Sequence, residues 1–323
     1  MLHIFFCLIS ATLAIPFTDY RHLDSAAIRL THSSDYTRLT KRNDSSQISS
    51  LAGPSYNAVI RPTNQNVQYC IEVHFNEIPR YLLVDTGSAD TWMIASDFQC
   101  LDAAGSPVPT SACLLGDPYT GPQIPQIGND TYYQLYGTAE TFDGTFGYAN
   151  VTVAGRSVQN QKVALVNRGY ALGDQVRSGV FGLAPAAVGA LYENENASTT
   201  PPNGTATPYK TVFESMYSDH AIGNQHSVAP FFSLALERGV EGGYIAFGGL
   251  PPIEMSAEDF VFTPFQGLKY LGRERPERYY PIQPRGFELD GVKQATSYRA
   301  IVDSGTYALR LPQDLADQVN AAL

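Results

Sequence analysis

The chain has 323 residues, 44% hydrophobic and 16% charged, which is enough apolar content for two packed cores and excludes a disordered chain. Its formal net charge of −10 disfavours nucleic acid as a partner, since phosphate would be repelled. With 20 Tyr, 27 Gly and 21 Pro, the composition favours strands and turns over helices and predicts a mostly β fold.

Residues 2–15 form an apolar run too short to cross a bilayer, and Ala11-Thr12-Leu13-Ala14 supplies a small-residue cleavage pattern. Residues 1–14 are therefore expected to be a signal peptide and the product secreted; the plain alternative is a buried N-terminal helix. No second hydrophobic span is visible, so no membrane crossing is expected. Residues 15–42 change character, because Arg21, Arg29, Arg38, Lys41 and Arg42 outnumber Asp19, Asp24 and Asp35. A basic segment ahead of an acidic body, ending in Lys41-Arg42, reads as a pro-segment removed by a dibasic-cleaving processing protease. A solvated basic tail would have the same composition. Sequons at Asn43, Asn129, Asn150, Asn196 and Asn203 lie among turn-rich segments and predict glycosylation on a secretory route. Of the four cysteines, Cys7 leaves with the leader, while Cys100 and Cys113 flank a Pro/Ser/Ala-rich loop and are expected to pair. Cys70 lies in an alternating strand and is expected to be a buried, inert thiol.

Residues 43–250 are expected to form a first, sheet-rich lobe, with strands over residues 67–75, 80–85, 131–136, 145–153 and 161–166. Residues 193–208 are polar and read as a surface insertion, followed by a helix over residues 209–217. Residues 231–236 and 243–249 read as a hairpin-like pair closing that lobe, and Pro251-Pro252 as its boundary. Residues 251–323 then carry strands near 260–265, 279–282 and 286–289, and a helix over 312–323.

Two stretches carry chemistry. Leu82-Leu83-Val84 delivers Asp85 into Thr86-Gly87-Ser88, a buried strand running into a turn whose hydroxyls can donate to the carboxylate. Alone, this is an ordinary strand-end turn. Ile301-Val302-Asp303-Ser304-Gly305-Thr306 repeats the pattern in the second half, which suggests a duplication bringing Asp85 and Asp303 face to face. Two touching carboxylates cannot both ionise readily, so they share one proton. The ionised member can take a proton from a water while the protonated member donates to a substrate carbonyl. Among the six His no metal-ligand spacing occurs, and no phosphate loop or dinucleotide fingerprint is present, so neither metal nor cofactor is expected.

The sequence resembles the pepsin-like aspartic endopeptidases, especially secreted fungal ones, from about Asn57 to Leu323. The resemblance rests on Asp85-Thr86-Gly87-Ser88 with Trp92, Tyr136-Gly137-Thr138, residues 179–185, residues 243–249 and Asp303-Ser304-Gly305-Thr306. It implies a bilobal β architecture with the cleft between the lobes, and Asp85 and Asp303 as the catalytic pair. Ser88 and Thr306 would donate to their outer oxygens, and Thr86 and Ser304 would tie the two turns together. Tyr136, Gly137 and Thr138 would lie on a flap over peptide or protein substrates, with Tyr136 bonded to Trp92. A monomer is expected. Val180-Phe181-Gly182 would brace the first turn. No matching segment follows Asp303 before Leu323, so the second lobe is expected to be incomplete in this sequence. Ala139-Glu140 stand where the family's flap tip is usually Gly-rich, and Tyr307 where a small residue is usual.

Overall fold

The computed structural model of the protein describes residues 29–31, 55–64, 67–193, 202, 204–218, 228–237, 242–253, 268–270, 273–275, 279–284, 286–289, 292–295 and 298–322. The expected signal peptide, the Lys41-Arg42 cleavage site, the sequons at Asn43, Asn196 and Asn203, and the expected strand near 260–265 lie outside those residues.

Chain order opens with β1 (Arg29–Thr31), β2 (Tyr56–Val59), β3 (Arg61–Thr63), β4 (Gln68–Phe75) and β5 (Ile78–Asp85). The last four residues of β5 are all buried. Its side chains alternate between two cores: Leu82 and Val84 face one, with Phe75, Phe181 and Phe247, while Leu83 faces the other, with Trp92, Tyr132 and Phe142. A strand covered on both faces needs a continuous apolar run, and that is why Leu82-Leu83-Val84 lacks alternation.

Next come β6 (Thr91–Cys100), a short 3-10 turn (Thr110–Cys113), β7 (Gln126–Leu135), β8 (Thr141–Val153), β9 (Arg156–Tyr170) and β10 (Gly179–Gly182). With β11 (Leu191–Tyr192) they complete a nine-stranded sheet in the order β11-β7-β8-β9-β6-β10-β5-β4-β3, and an added β8–β4 pairing curls it toward closure. The predicted strands are present and mostly longer. The sequence reading passed over β6, which follows the Asp85 turn directly. β10 pairs parallel to β5, setting Gly182 opposite Asp85, and antiparallel to β6. A disulfide joins Cys100 at the end of β6 to Cys113, and Cys70 is a buried free thiol whose pKa burial pushes up to about 12.

The helix α1 (Val212–Ser218) starts later than expected. Thr211 and Glu214 form a capping box: the Thr211 N–H donates to Glu214 Oε2, and the Glu214 N–H to Thr211 Oγ1. That cap leaves Tyr209 outside the helix. The expected pair β12 (Phe232–Leu236) and β13 (Gly243–Phe247) does form, and β13 also pairs with β2, making a three-stranded sheet distinct from the nine-stranded one. Phe213 of α1 packs edge-on against Phe232, their ring centres 5.2 Å apart.

The remaining elements are β14 (Leu268–Tyr270), β15 (Arg273–Arg275), β16 (Pro281–Ile282), β17 (Gly286–Leu289), β18 (Val292–Ala295), β19 (Ala300–Ile301) and α2 (Gln313–Ala322). β17 lies between β1 and β18, and β16 pairs with β19, the short strand that leads into Asp303. Buried Tyr280 reaches back across the chain and donates its hydroxyl to the Leu183 carbonyl, just beyond β10. No described helix is long and apolar enough to cross a membrane.

Candidate active site

Asp85 ends β5, and the chain turns immediately through Thr86-Gly87-Ser88. Its Oδ1 accepts the Gly87 N–H at 2.8 Å and its Oδ2 the Ser88 hydroxyl at 2.5 Å. From behind, the Leu183 N–H donates to the Asp85 carbonyl at 2.8 Å and the Ala184 N–H to that of Ser88 at 2.9 Å. The bonds to the turn backbone thus come from Leu183 and Ala184, just beyond the expected Val180-Phe181-Gly182 segment, whose Gly182 N–H donates instead to the Asp90 carbonyl at 3.1 Å.

Asp303 follows β19 and repeats the arrangement. Its Oδ1 accepts the Gly305 N–H at 2.9 Å and its Oδ2 the Thr306 hydroxyl at 2.7 Å. Four further bonds cross-link the two turns. The Thr86 hydroxyl donates to the Val302 carbonyl at 2.8 Å and accepts the Ser304 N–H at 2.9 Å. Reciprocally, the Ser304 hydroxyl donates to the Val84 carbonyl at 2.7 Å and accepts the Thr86 N–H at 3.1 Å.

The glycines let the carboxyls meet. A Cβ on Gly87 would fall 2.6 Å from the Asp303 carboxyl, and one on Gly305 would fall 2.4 Å from Asp85 Oδ1. Each carboxyl therefore lies against the glycine of the opposite turn. Burial first, and then the negative charge of Asp303, raise the Asp85 pKa well above the ordinary aspartate range, with the Ser88 and Gly87 bonds opposing. The two turns differ in cover: Asp85 is buried whereas Asp303 is half-buried. Among the described residues, no strand lies beside Asp303 as β10 lies beside Asp85.

The β7–β8 hairpin carries residues 136–140 at its tip. Trp92 Nε1 donates to the Tyr136 hydroxyl at 2.8 Å, the contact that the resemblance implied. Burial and then the Asp85 charge raise the Tyr136 pKa, so the phenol stays neutral and able to donate. Gly137 is exposed and Thr138 half-buried.

Three features escaped the sequence reading. Glu140 is buried and forms an ion pair with buried Arg177, while also accepting the Leu172 N–H and the Thr138 hydroxyl, each at 2.9 Å. Ala139 before it has φ of 68°, a left-handed conformation costly for a side-chain-bearing residue. Asp90 is fully buried and accepts the Tyr209 hydroxyl and the Ala190 N–H, each at 2.9 Å. Arg310 donates to the Gly137 carbonyl at 2.6 Å. The unusual Ala139-Glu140 was a visible signal for the first of these; the other two had none. Of the expected glycosylation sites, Asn129 and Asn150 are exposed.

A β fold whose two Asp-hydroxyl-Gly turns oppose each other beneath a tyrosine-bearing hairpin defines a class, and the comparisons agree with it. The profile of the eukaryotic aspartyl protease family matches residues 68–323, and the chain belongs to that family. It is similar to a probable aspartic-type endopeptidase of Aspergillus fumigatus, 28% identical over 80% of this chain and 57% of the relative. Aspergillopepsin-1 of Aspergillus oryzae is 24% identical over 85% of this chain and 62% of its own length. The chain thus spans about three-fifths of these curated relatives. The crystal structure of an aspartic proteinase from Irpex lacteus shares the fold, with a TM-score of 0.57 at 20% identity, covering 83% of this chain and 68% of that one.

Proposed function

We propose that this chain carries the catalytic dyad of a secreted endopeptidase that hydrolyses peptide bonds in acid, with Asp85 and Asp303 as the catalytic pair. The observation that carries the reading is the opposition of the two turns, each carboxyl held by one glycine N–H and one hydroxyl and lying against the glycine of the other turn. One proton is shared between them. The ionised member takes a proton from a water, whose oxygen attacks the scissile carbonyl carbon, and the protonated member donates to the carbonyl oxygen. A tetrahedral intermediate forms without a covalent bond to the protein, and collapse with proton transfer to the amide nitrogen releases amine and acid. Tyr136, Gly137 and Thr138 form the flap over the substrate. Secretion is supported by the apolar N-terminal run and by the Cys100–Cys113 disulfide, since such bonds persist in oxidising compartments. The packing of each turn's glycine against the opposite carboxyl favours the protease over a carboxylate-pair glycosidase, which needs a wider gap between its acids.

The test is cleavage of an unfolded protein at acidic pH by the protein expressed from its full open reading frame. Activity blocked by a statine-type transition-state mimic and lost in Asp85→Asn is the expected result, with a fall of several orders of magnitude. Undiminished cleavage by Asp85→Asn sinks the assignment. Saturable peptide binding without turnover instead makes the chain a non-catalytic peptide-binding relative.

A further inference from the structure

The contact between Arg310 and Gly137 joins two segments 173 positions apart in the chain. Gly137 follows Tyr136 at the hairpin tip, and Arg310 lies on the segment between the Asp303 turn and α2. The guanidinium lies close against the Gly137 backbone: a Cβ there would sit 3.2 Å from Arg310 Nη1 and 3.4 Å from its Cζ. A backbone carbonyl is a weak partner for a cation and uses one of the five guanidinium N–H donors. Among the described residues Arg310 belongs to no ion pair, in contrast to Arg168 and Arg177, each of which faces a carboxylate. Arg310 is also exposed, so its remaining donors are open to a partner beside the hairpin tip. A planar, permanently charged fork in that position matches a carboxylate in geometry and sign. In a chain of net charge −10, it also offsets the repulsion that an acidic peptide would meet on approach.

We infer that Arg310 is a specificity-determining residue that selects peptides bearing an Asp or Glu side chain near the scissile bond, releasing the Gly137 carbonyl as it pairs with that carboxylate. This rests on the peptide-cleft reading above and names the substrate class for it. Binding is measured apart from turnover, so that the two ideas fail separately. Peptides with a non-hydrolysable hydroxyethylene unit in place of the scissile amide are varied one position at a time among Glu, Gln and Lys. Their affinities are read by fluorescence anisotropy at about pH 5.5, above the carboxylate range.

At one position Glu is expected to bind about two- to fivefold more tightly than Gln, and Lys more weakly than Gln, the span typical of an exposed charge pair. The preference should shrink in about 0.5 M salt. Arg310→Gln should level the series and Arg310→Glu should invert it. A Glu preference unchanged in Arg310→Glu, equal affinity across the series in the unaltered protein, or no binding at all overturns the inference. Cleavage of the matching amide peptides is scored separately: Arg310-dependent Glu selection without turnover upholds this inference and sinks the endopeptidase reading.

Discussion

The two oxygens of the Asp85 carboxylate accept different donors, the Gly87 N–H on Oδ1 and the Ser88 hydroxyl on Oδ2. Both bonds favour the charged form, against burial and the neighbouring Asp303, with Ser88 the stronger of the two. Ser88→Ala removes that bond and raises the Asp85 pKa further. Asp85, with its raised pKa, is the member that holds the shared proton, so the alkaline limb of the kcat/KM profile is expected to move to higher pH, which a pH series with a chromogenic peptide would read. Ser88→Thr keeps the hydroxyl, as Thr306 does for Asp303, and should stay near the unaltered profile. A profile that does not move in Ser88→Ala would mean that this hydroxyl does not tune the carboxylate.

The tip of the β7–β8 hairpin is held at both of its ends. Trp92 fixes the Tyr136 hydroxyl, while Glu140 ties the returning strand to Arg177 and to the Leu172 backbone. Because both partners of the ion pair are buried, truncating one strands the other charge away from water. Glu140→Ala is expected to cost about 3–5 kcal/mol in urea unfolding, the range for breaking such a pair. Pairing it with Arg177→Met removes the stranded charge and should recover much of that loss. If the double variant is no more stable than Glu140→Ala, the destabilisation comes from Glu140's neutral partners, Thr138 and Leu172, and not from charge. This anchoring also explains how Ala139 keeps its left-handed backbone at the hairpin tip: the bonds at Glu140 hold the turn around it.

Across the whole molecule, the site lies where the two halves of the chain are stitched by the Thr86 and Ser304 bonds, so the stability of the fold and the charge of the site are linked. Asp90, within the same buried region, has its pKa raised from 3.8 to about 7 by burial, with the Tyr209 and Ala190 bonds opposing. A raised acid pKa means that the folded state keeps a proton which the unfolded chain releases. The contribution is fully present below about pH 4 and is lost as pH rises through about 7. Asp85 is shifted in the same direction and adds to the trend. The melting temperature is therefore expected to be higher at pH 4 than at pH 7, and the decline should be shallower in Asp90→Asn. A decline of equal slope in that variant would place its source elsewhere.

Much of this was legible in the chain itself. The apolar runs before Asp85 and Asp303, the hydroxyl and glycine positions after them and the Cys100–Cys113 pair are local patterns, and local patterns follow strand periodicity and turn chemistry, whereas the Tyr136 hairpin was implied by the family resemblance. The Thr211-Glu214 cap is equally local, and it sets the helix start at Val212 and not at the expected Tyr209. What only the tertiary structure decided are the long-range partnerships. Asp90 meets Tyr209 across 119 positions, Arg310 meets Gly137 across 173, and Arg177 meets Glu140 across 37. So is the insertion of β10 between β5 and β6. Each depends on the order and register in which distant strands and loops come together, and no single stretch of residues encodes that order by its own composition.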